Sequence, residues 1–120
     1  MIEKIGKIKD TMLGIEDHGI MTFYLFFDFG GSCQGFGGYC LDTRVGKDST
    51  ASTGDLIQSV IKVCGVERWE DIKEKTMFAL YEKDGYNQPI IGIKGLPFES
   101  NKTFLIKEWQ EKWFPKEDIK

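Results

Sequence analysis

The sequence predicts an α+β protein, with an antiparallel sheet of about five strands, one main helix packed on one face and a short C-terminal helix. Apolar residues alternate with a period of two over residues 20–29, as in a strand. An apolar stripe with helical spacing covers 54–64. A turn separates two apolar runs at 76–82 and 89–94, as in a β-hairpin. The length fits a single domain, residues 1–120.

The N-terminal part predicts the first strands of the sheet. Residues 3–16 form one or two strands, interrupted by Gly6 and Gly14, and a turn signal follows at residues 16–19. Over 20–29 one face of the strand is wholly apolar and the other is mixed, so we expect this strand to be central.

A glycine-rich segment, residues 30–42, follows that strand and leads into a third strand near 36–42. Glycine gathers where the backbone turns sharply or lets another group come close. With Gln34, Phe36 and Tyr39 among the glycines, the segment predicts either a flat surface for a planar ligand or only a tightly twisted hairpin.

The main helix is predicted over 54–64, after a polar stretch in which Ser52 and Asp55 resemble a capping box. Gly65 ends the helix, and residues 66–72 read as a short helical turn with Trp69 in the core. The last helix is expected over 104–114, after a residue or two of strand. Its Trp109 and Trp113 face either the core or an oligomer interface.

The amino-acid composition argues against several classes of function. A net charge of −3 and a pI near 5.2 argue against a general nucleic-acid-binding surface. We find no signal peptide and no membrane span in the sequence. The three cysteines, Cys33, Cys40 and Cys64, indicate reduced thiols in a cytosol, with Cys33 and Cys40 facing each other across a hairpin. One histidine and no CxxC motif argue against a zinc site, and nothing indicates a cofactor.

The motifs do not predict an enzyme. Asp17-His18 permits general acid–base chemistry, but a histidine beside an aspartate in a turn is more often structural. The glycine-rich segment lacks the ending of a phosphate loop and the βαβ context of a dinucleotide site. No serine or cysteine has the surroundings of a nucleophile, so we assign no catalytic residue.

Several residues suit a ligand instead. Phe36 and Tyr39 offer rings for stacking on a base, although aromatic residues are more often core. Arg44 and Arg68 suit a pyrophosphate because guanidinium matches phosphate geometry, although such charges are more often simply solvated.

Two segments carry a resemblance to a known family: Glu16-Asp17-His18-Gly19-Ile20-Met21-Thr22, and Gly30-Gly31 with Gln34-Gly35-Phe36-Gly37-Gly38-Tyr39 and Leu41-Asp42. Together with Gly65–Asp71 they resemble a family of small phage and prophage proteins, similar to the anti-Thoeris sponges. The resemblance covers roughly residues 8–75. It implies a non-enzymatic oligomer in the host cytoplasm that sequesters a cyclic ADP-ribose-type signal.

The expected ligand-binding residues are six in number, with no metal ligand among them: His18, Gln34, Phe36, Tyr39, Arg44 and Arg68. The expected partners are the cyclic nucleotide and further copies of the chain, with neither nucleic acid nor membrane. The alternative is a phage inhibitor that binds a host defence protein directly, as anti-CRISPR proteins do. A sponge predicts a concave pocket, whereas a direct inhibitor predicts an exposed acidic or apolar patch.

Overall fold

The computed structural model of the protein describes residues 1–43 and 50–115. In these ranges it confirms the α+β class, with one antiparallel sheet of six strands, a main helix and a short C-terminal helix. The elements are β1 (Ile2–Ile15), β2 (Met21–Asp28), β3 (Cys33–Gly37), α1 (Ala51–Cys64), a 3-10 turn (Trp69–Asp71), β4 (Thr76–Tyr81), β5 (Gly92–Lys94), β6 (Thr103–Leu105) and α2 (Ile106–Trp113). The strand order is β3-β2-β1-β4-β5-β6.

The long strand β1 organises the sheet because it pairs with two neighbours. Residues 2–7 pair with β4 and residues 7–15 pair with β2. A bulge between Ile8 and Asp10 shifts the register, so the side chains facing the core change from even to odd positions at that point. The predicted interruption at Gly6 and Gly14 is therefore absent, and the region is one bulged strand.

One face of the sheet carries the core. Buried residues of β2 and β4 pack there with the apolar stripe of α1 and with α2. The members with least exposure include Ile8, Phe23, Leu25, Phe27, Phe36, Leu56, Val60 and Ile93. The opposite face, here called the uncovered face, has no described helix packed on it. Its half-buried rings Tyr24 and Phe26 stack with centroids 5.3 Å apart, and Ile5 is 55% exposed.

The third strand was predicted in the wrong place. It lies at Cys33–Gly37 and not at 36–42, so the glycine motif is itself part of the strand. Gly37 and Gly38 adopt φ values of 137° and 85°, which end the strand. The chain then stays beside β2, because the Gly38 N–H donates to the Phe23 carbonyl at 2.8 Å.

The predicted capping box is also wrong. The helix α1 begins at Ala51, and its N-cap Thr50 makes no side-chain capping bond. Ser52 donates its hydroxyl to the Leu41 carbonyl, and Thr53 donates to the Asp42 carboxylate. These bonds fasten the start of the helix to the chain that follows β3. Gly65 ends α1 in the left-handed conformation, as predicted.

The tryptophans lie mainly inward. Trp109 is 4% exposed, and its indole N–H donates to the Ser52 carbonyl at 3.0 Å, which makes it a core residue. Trp113 is half-buried and donates to Asp55 Oδ2 at 2.8 Å. Trp69 packs edge-on against Phe23 at 6.2 Å, as its predicted core position requires. In the described ranges, no helix has the length and apolar character needed to cross a membrane.

Candidate binding site

A cleft of about 800 Å³ opens at the end of the sheet where β1 begins and β4 ends. We call it the sheet-end cleft. Its walls are the first residues of β1, the start of β3, the end of β4 and the loop 83–89. Its volume falls within the range of small-molecule sites, about 300–1,000 Å³.

Strand register places the polar centre of the cleft. Tyr81 lies opposite Ile2, and Gln34 lies opposite Phe27, so both side chains project from the core face near its end. The Tyr81 hydroxyl donates to Gln34 Oε1 at 2.7 Å, and Gln34 Nε2 donates to the Gln88 carbonyl at 2.8 Å. Burial raises the pKa of Tyr81, so its hydroxyl remains a donor at neutral pH. Gln34 thus ties β3 to β4 and to the loop.

Two lysines give the cleft positive charge. Lys4 and Lys83 line it, and neither forms a salt bridge with a carboxylate among residues 1–43 and 50–115. The Lys4 ammonium lies 4.3 Å from the centre of the Phe29 ring. Of the two carboxylates that line the cleft, Glu3 is paired with Lys94 at 2.7 Å, while Asp84 accepts the Gly85 N–H at 2.9 Å and forms no salt bridge among residues 1–43 and 50–115. An anionic ligand would therefore meet two lysines and one unpaired carboxylate in the cleft.

An exposed aromatic ring lies at the opening of the sheet-end cleft. Tyr86, in the loop between β4 and β5, is 90% exposed. Its neighbours Gly85 and Asn87 both have positive φ, which makes the loop turn sharply around the tyrosine. A loop held by Gln34 that presents a free ring is suited to stacking on a planar group.

Five of the six predicted ligand residues lie in the described ranges, and of these five the structure places only Gln34 in the sheet-end cleft. Phe36 is 1% exposed and packs edge-on against Phe23 at 5.4 Å, so its ring is part of the core. Tyr39 is half-buried and packs against Phe36 at 6.3 Å, and burial raises its pKa. The glycine motif brings these rings inward because Leu25 and Phe36 share the core face.

His18 lies far from the sheet-end cleft. His18 is in the turn after β1, with its side chain 83% exposed, and its Nδ1 is 3.1 Å from Glu16 Oε2. That hydrogen bond lowers the pKa of Glu16. The turn and Gln34 lie at opposite ends of β2, about 20 Å apart at the rise of an extended strand.

Arg68 does not line the sheet-end cleft. Arg68 pairs with Asp71 through two hydrogen bonds of 3.0 Å, and this partner raises its pKa. Arg44 lies outside the described residues.

The cysteines do not face each other as predicted. Cys33 begins β3, whereas Cys40 follows its end, and no disulfide joins any of the three cysteines, all of which lie in the described ranges. Cys33 Sγ lies 3.1 Å from the Lys9 ammonium, which raises the pKa of Lys9. Cys64 is buried in the core, and burial raises its pKa to about 12.

Sequence reasoning missed Lys4, Tyr81, Lys83 and Tyr86. Only Tyr86 had a sequence signal that could have identified it. It lies inside the glycine-containing turn Lys83–Asn87, and loops tend to carry functional side chains. The side of the sheet taken by Lys4 could not be read from the sequence, because it depends on the bulge in β1.

A second depression, of about 510 Å³, lies between α1, α2 and β6. It is shallower, and its Asp55 and Lys112 are paired with each other at 3.2 Å. Within the described part of the chain, no group of three or more His, Cys, Asp or Glu residues is placed to hold a metal ion.

Comparison with protein-family models, with curated proteins and with solved structures finds no match to this chain.

Proposed function

We propose that this protein binds a small, planar, phosphate-bearing ligand in the sheet-end cleft and holds it without chemical change. The ligand class that fits the resemblance and the cleft is a cyclic nucleotide signal of the cyclic ADP-ribose type. The biological role would then be that of a phage anti-defence protein, acting as a homo-oligomer in the host cytoplasm.

One observation supports the proposal most directly: the cleft joins an exposed aromatic ring to two lysines that form no salt bridge within the described ranges. Lys4 and Lys83 would face the pyrophosphate, and the Tyr86 ring would stack on the base. A charge-assisted hydrogen bond contributes about 1.5–3 kcal/mol, and stacking about 1–3 kcal/mol per base. Together these contacts would give tight binding without a nucleophile.

Apart from Gln34, the cleft offers a ligand different residues from those expected from the sequence. Lysine binds phosphate as a point charge, whereas arginine would form a bidentate pair. Specificity must then come from the shape of the cleft and from Gln34, whose amide keeps one N–H free after bonding Gln88.

Calorimetry with cyclic ADP-ribose tests the proposal, with linear ADP-ribose as the comparison ligand. We expect binding of the cyclic compound and its recovery unchanged after the protein is denatured. Tyr86→Ala should weaken binding about 10-fold or more, while Tyr86→Phe, which keeps the ring, should bind as wild type does. Lys4→Met should also weaken binding, and Lys107→Met, on the exposed side of α2, serves as its control.

Absence of binding for both compounds at millimolar concentration would refute the proposed ligand class. Conversion of the cyclic compound by the protein would refute the non-enzymatic role.

A second candidate function is direct inhibition of a host defence protein. The uncovered face favours it, because the stacked rings of Tyr24 and Phe26 and, further along the sheet, the exposed Ile5 beside Phe78 have no described helix over them. Here Ile5→Lys should abolish capture of the host protein and leave cyclic ADP-ribose binding unchanged.

A further inference from the structure

The free edge of the sheet at β3 is the feature that carries a further inference. Among residues 1–43 and 50–115, β3 is a terminal strand of the sheet and pairs only with β2. An unpaired strand edge presents a row of N–H and C=O groups to any other extended chain.

The hydrogen bonds at the two ends of the pairing fix which groups are free. Phe29 donates its N–H to the Ser32 carbonyl at 2.8 Å, and Gly38 donates to the Phe23 carbonyl at 2.8 Å. In an antiparallel pair, hydrogen-bonded and non-bonded positions alternate. Gln34 and Phe36 therefore bond to β2, while the backbone groups of Cys33, Gly35 and Gly37 point away from the sheet.

No backbone hydrogen bond from the described residues meets these outward groups. The strand has no proline and no charged residue, which are devices that commonly protect an edge from pairing. Two of its three outward positions are glycine, so their backbone is open to close approach.

We propose that β3 of one molecule pairs antiparallel with β3 of a second copy. The pairing is centred on Gly35, with Gly35 of one copy opposite Gly35 of the other. Cys33 of each copy then lies opposite Gly37 of the other, near the point where φ of 137° ends the strand. The six-stranded sheet of each molecule becomes half of one continuous sheet.

A second copy fits this edge for a steric reason. The Phe26 ring extends over Gly35 on the uncovered face, where a Cβ on Gly35 would lie 3.4 Å from it. Residues directly opposite each other in a pair share a face. Another glycine opposite Gly35 adds no side chain there, whereas most other strands would place one beside the ring.

The arrangement has a consequence for the clefts, although it does not rest on the proposed function. Antiparallel pairing about a two-fold axis puts the core faces of both molecules on the same side. The two Gln34 Cα atoms would be about 8 Å apart, from strand spacing and rise. Both sheet-end clefts would therefore open on one side of the dimer.

Sedimentation equilibrium of wild type and two variants tests the proposal. We expect wild type to reach twice the 13.7 kDa chain mass at micromolar concentration. Gly35→Pro removes the outward N–H without removing a bond to β2, and it should raise the dimer dissociation constant at least 100-fold. Gly35→Ala keeps the N–H and adds only a methyl group at van der Waals distance from the Phe26 ring, so it should still dimerise.

Amide hydrogen exchange of the wild type provides a test that does not require the proline variant to fold. The Gly35 N–H should become protected as protein concentration rises, whereas exposed amides of the loop 83–89 should not. A wild type that stays monomeric at hundreds of micromolar would overturn the proposal. So would a folded Gly35→Pro that dimerises as Gly35→Ala does, because dimerisation would then use another surface. Cyclic ADP-ribose titration of the same samples reports separately on the proposed function.

Discussion

Gly37 is the most constrained residue of the glycine-rich segment. Its φ of 137° lies in a region that side chains rarely adopt. A Cβ there would overlap the Phe23 carbonyl oxygen. Gly35, two positions earlier, has no such conflict, because its nearest contact would be the edge of the Phe26 ring at 3.4 Å.

We therefore expect Gly37→Val to destabilise the protein by about 3 kcal/mol or more, from backbone strain and steric overlap. Gly35→Ala is the matched control and should change the free energy of unfolding by less than about 1 kcal/mol. Urea denaturation followed by circular dichroism measures both. Equal stabilities of the two variants would show that the segment relaxes around a side chain at Gly37.

A substitution of Tyr81 tests the hydrogen bonds at the polar centre of the sheet-end cleft. Tyr81→Phe removes the hydroxyl that donates to Gln34 Oε1, and we expect a loss of about 1 kcal/mol in stability. The loop 83–89 should remain held by the bond from Gln34 to Gln88. Thermal unfolding gives the first quantity, and amide exchange in the loop gives the second. Faster exchange throughout the loop would show that the hydroxyl, not the glutamine, holds it.

At the scale of elements, the short helix α2 is attached by two indole hydrogen bonds. Trp109 donates to the Ser52 carbonyl inside the core, and Trp113 donates to Asp55 near the surface. The bond from Trp113, followed by the contact with Lys112, lowers the pKa of Asp55. The residue expected to cap α1 therefore attaches α2 instead.

The lowered pKa of Asp55 predicts how the stability of the protein changes with pH. Because the folded-state pKa of Asp55 lies below its ordinary value of about 4, its stabilising effect is complete above that pH and is lost as pH falls. Asp55→Asn should cost about 1 kcal/mol at neutral pH and nothing at pH values below the folded-state pKa. Denaturation across acidic pH measures the difference, with exposed Asp17→Asn as the control. A constant difference at all pH values would contradict the assignment.

At the scale of the whole molecule, β1 connects the two halves of the sheet, and Ile8 lies where it changes partners. Ile8 is fully buried, and its backbone bonds to Lys75 and Glu74 at 2.8 and 2.7 Å. Ile8→Ala should destabilise the protein by about 2–5 kcal/mol, in a single cooperative transition. Ile15→Ala, on an apolar residue of the same strand that is 65% exposed, should be nearly neutral. Separate unfolding of the two halves would argue against one cooperative sheet.

Much of this architecture was predictable from local patterns. The alternation over β2, the stripe of α1 and its stop at Gly65 each depend on a few neighbouring residues. The candidate site was not predictable in the same way, because the sheet-end cleft joins Lys4 to Gln34 and Tyr81 through strand register. The inward position of Phe36 was not predictable for a related reason, since pairing with Leu25 puts its ring on the buried face. A ring among glycines gives no local sign of which face it takes.

The bulge in β1 has a consequence for how this chain can diverge. It is the single extra residue that sends Ile8 and Leu13, five positions apart, to the same side of the sheet. Loss of that one codon would leave Ile8 and Leu13 four positions apart, and ordinary alternation would keep both on the core side of an unbulged strand. Gain of one more codon there would instead turn the rest of the strand over and put Met12 inside in place of Leu13. Descendants of this gene should therefore tolerate loss of a residue at this point far better than gain of one.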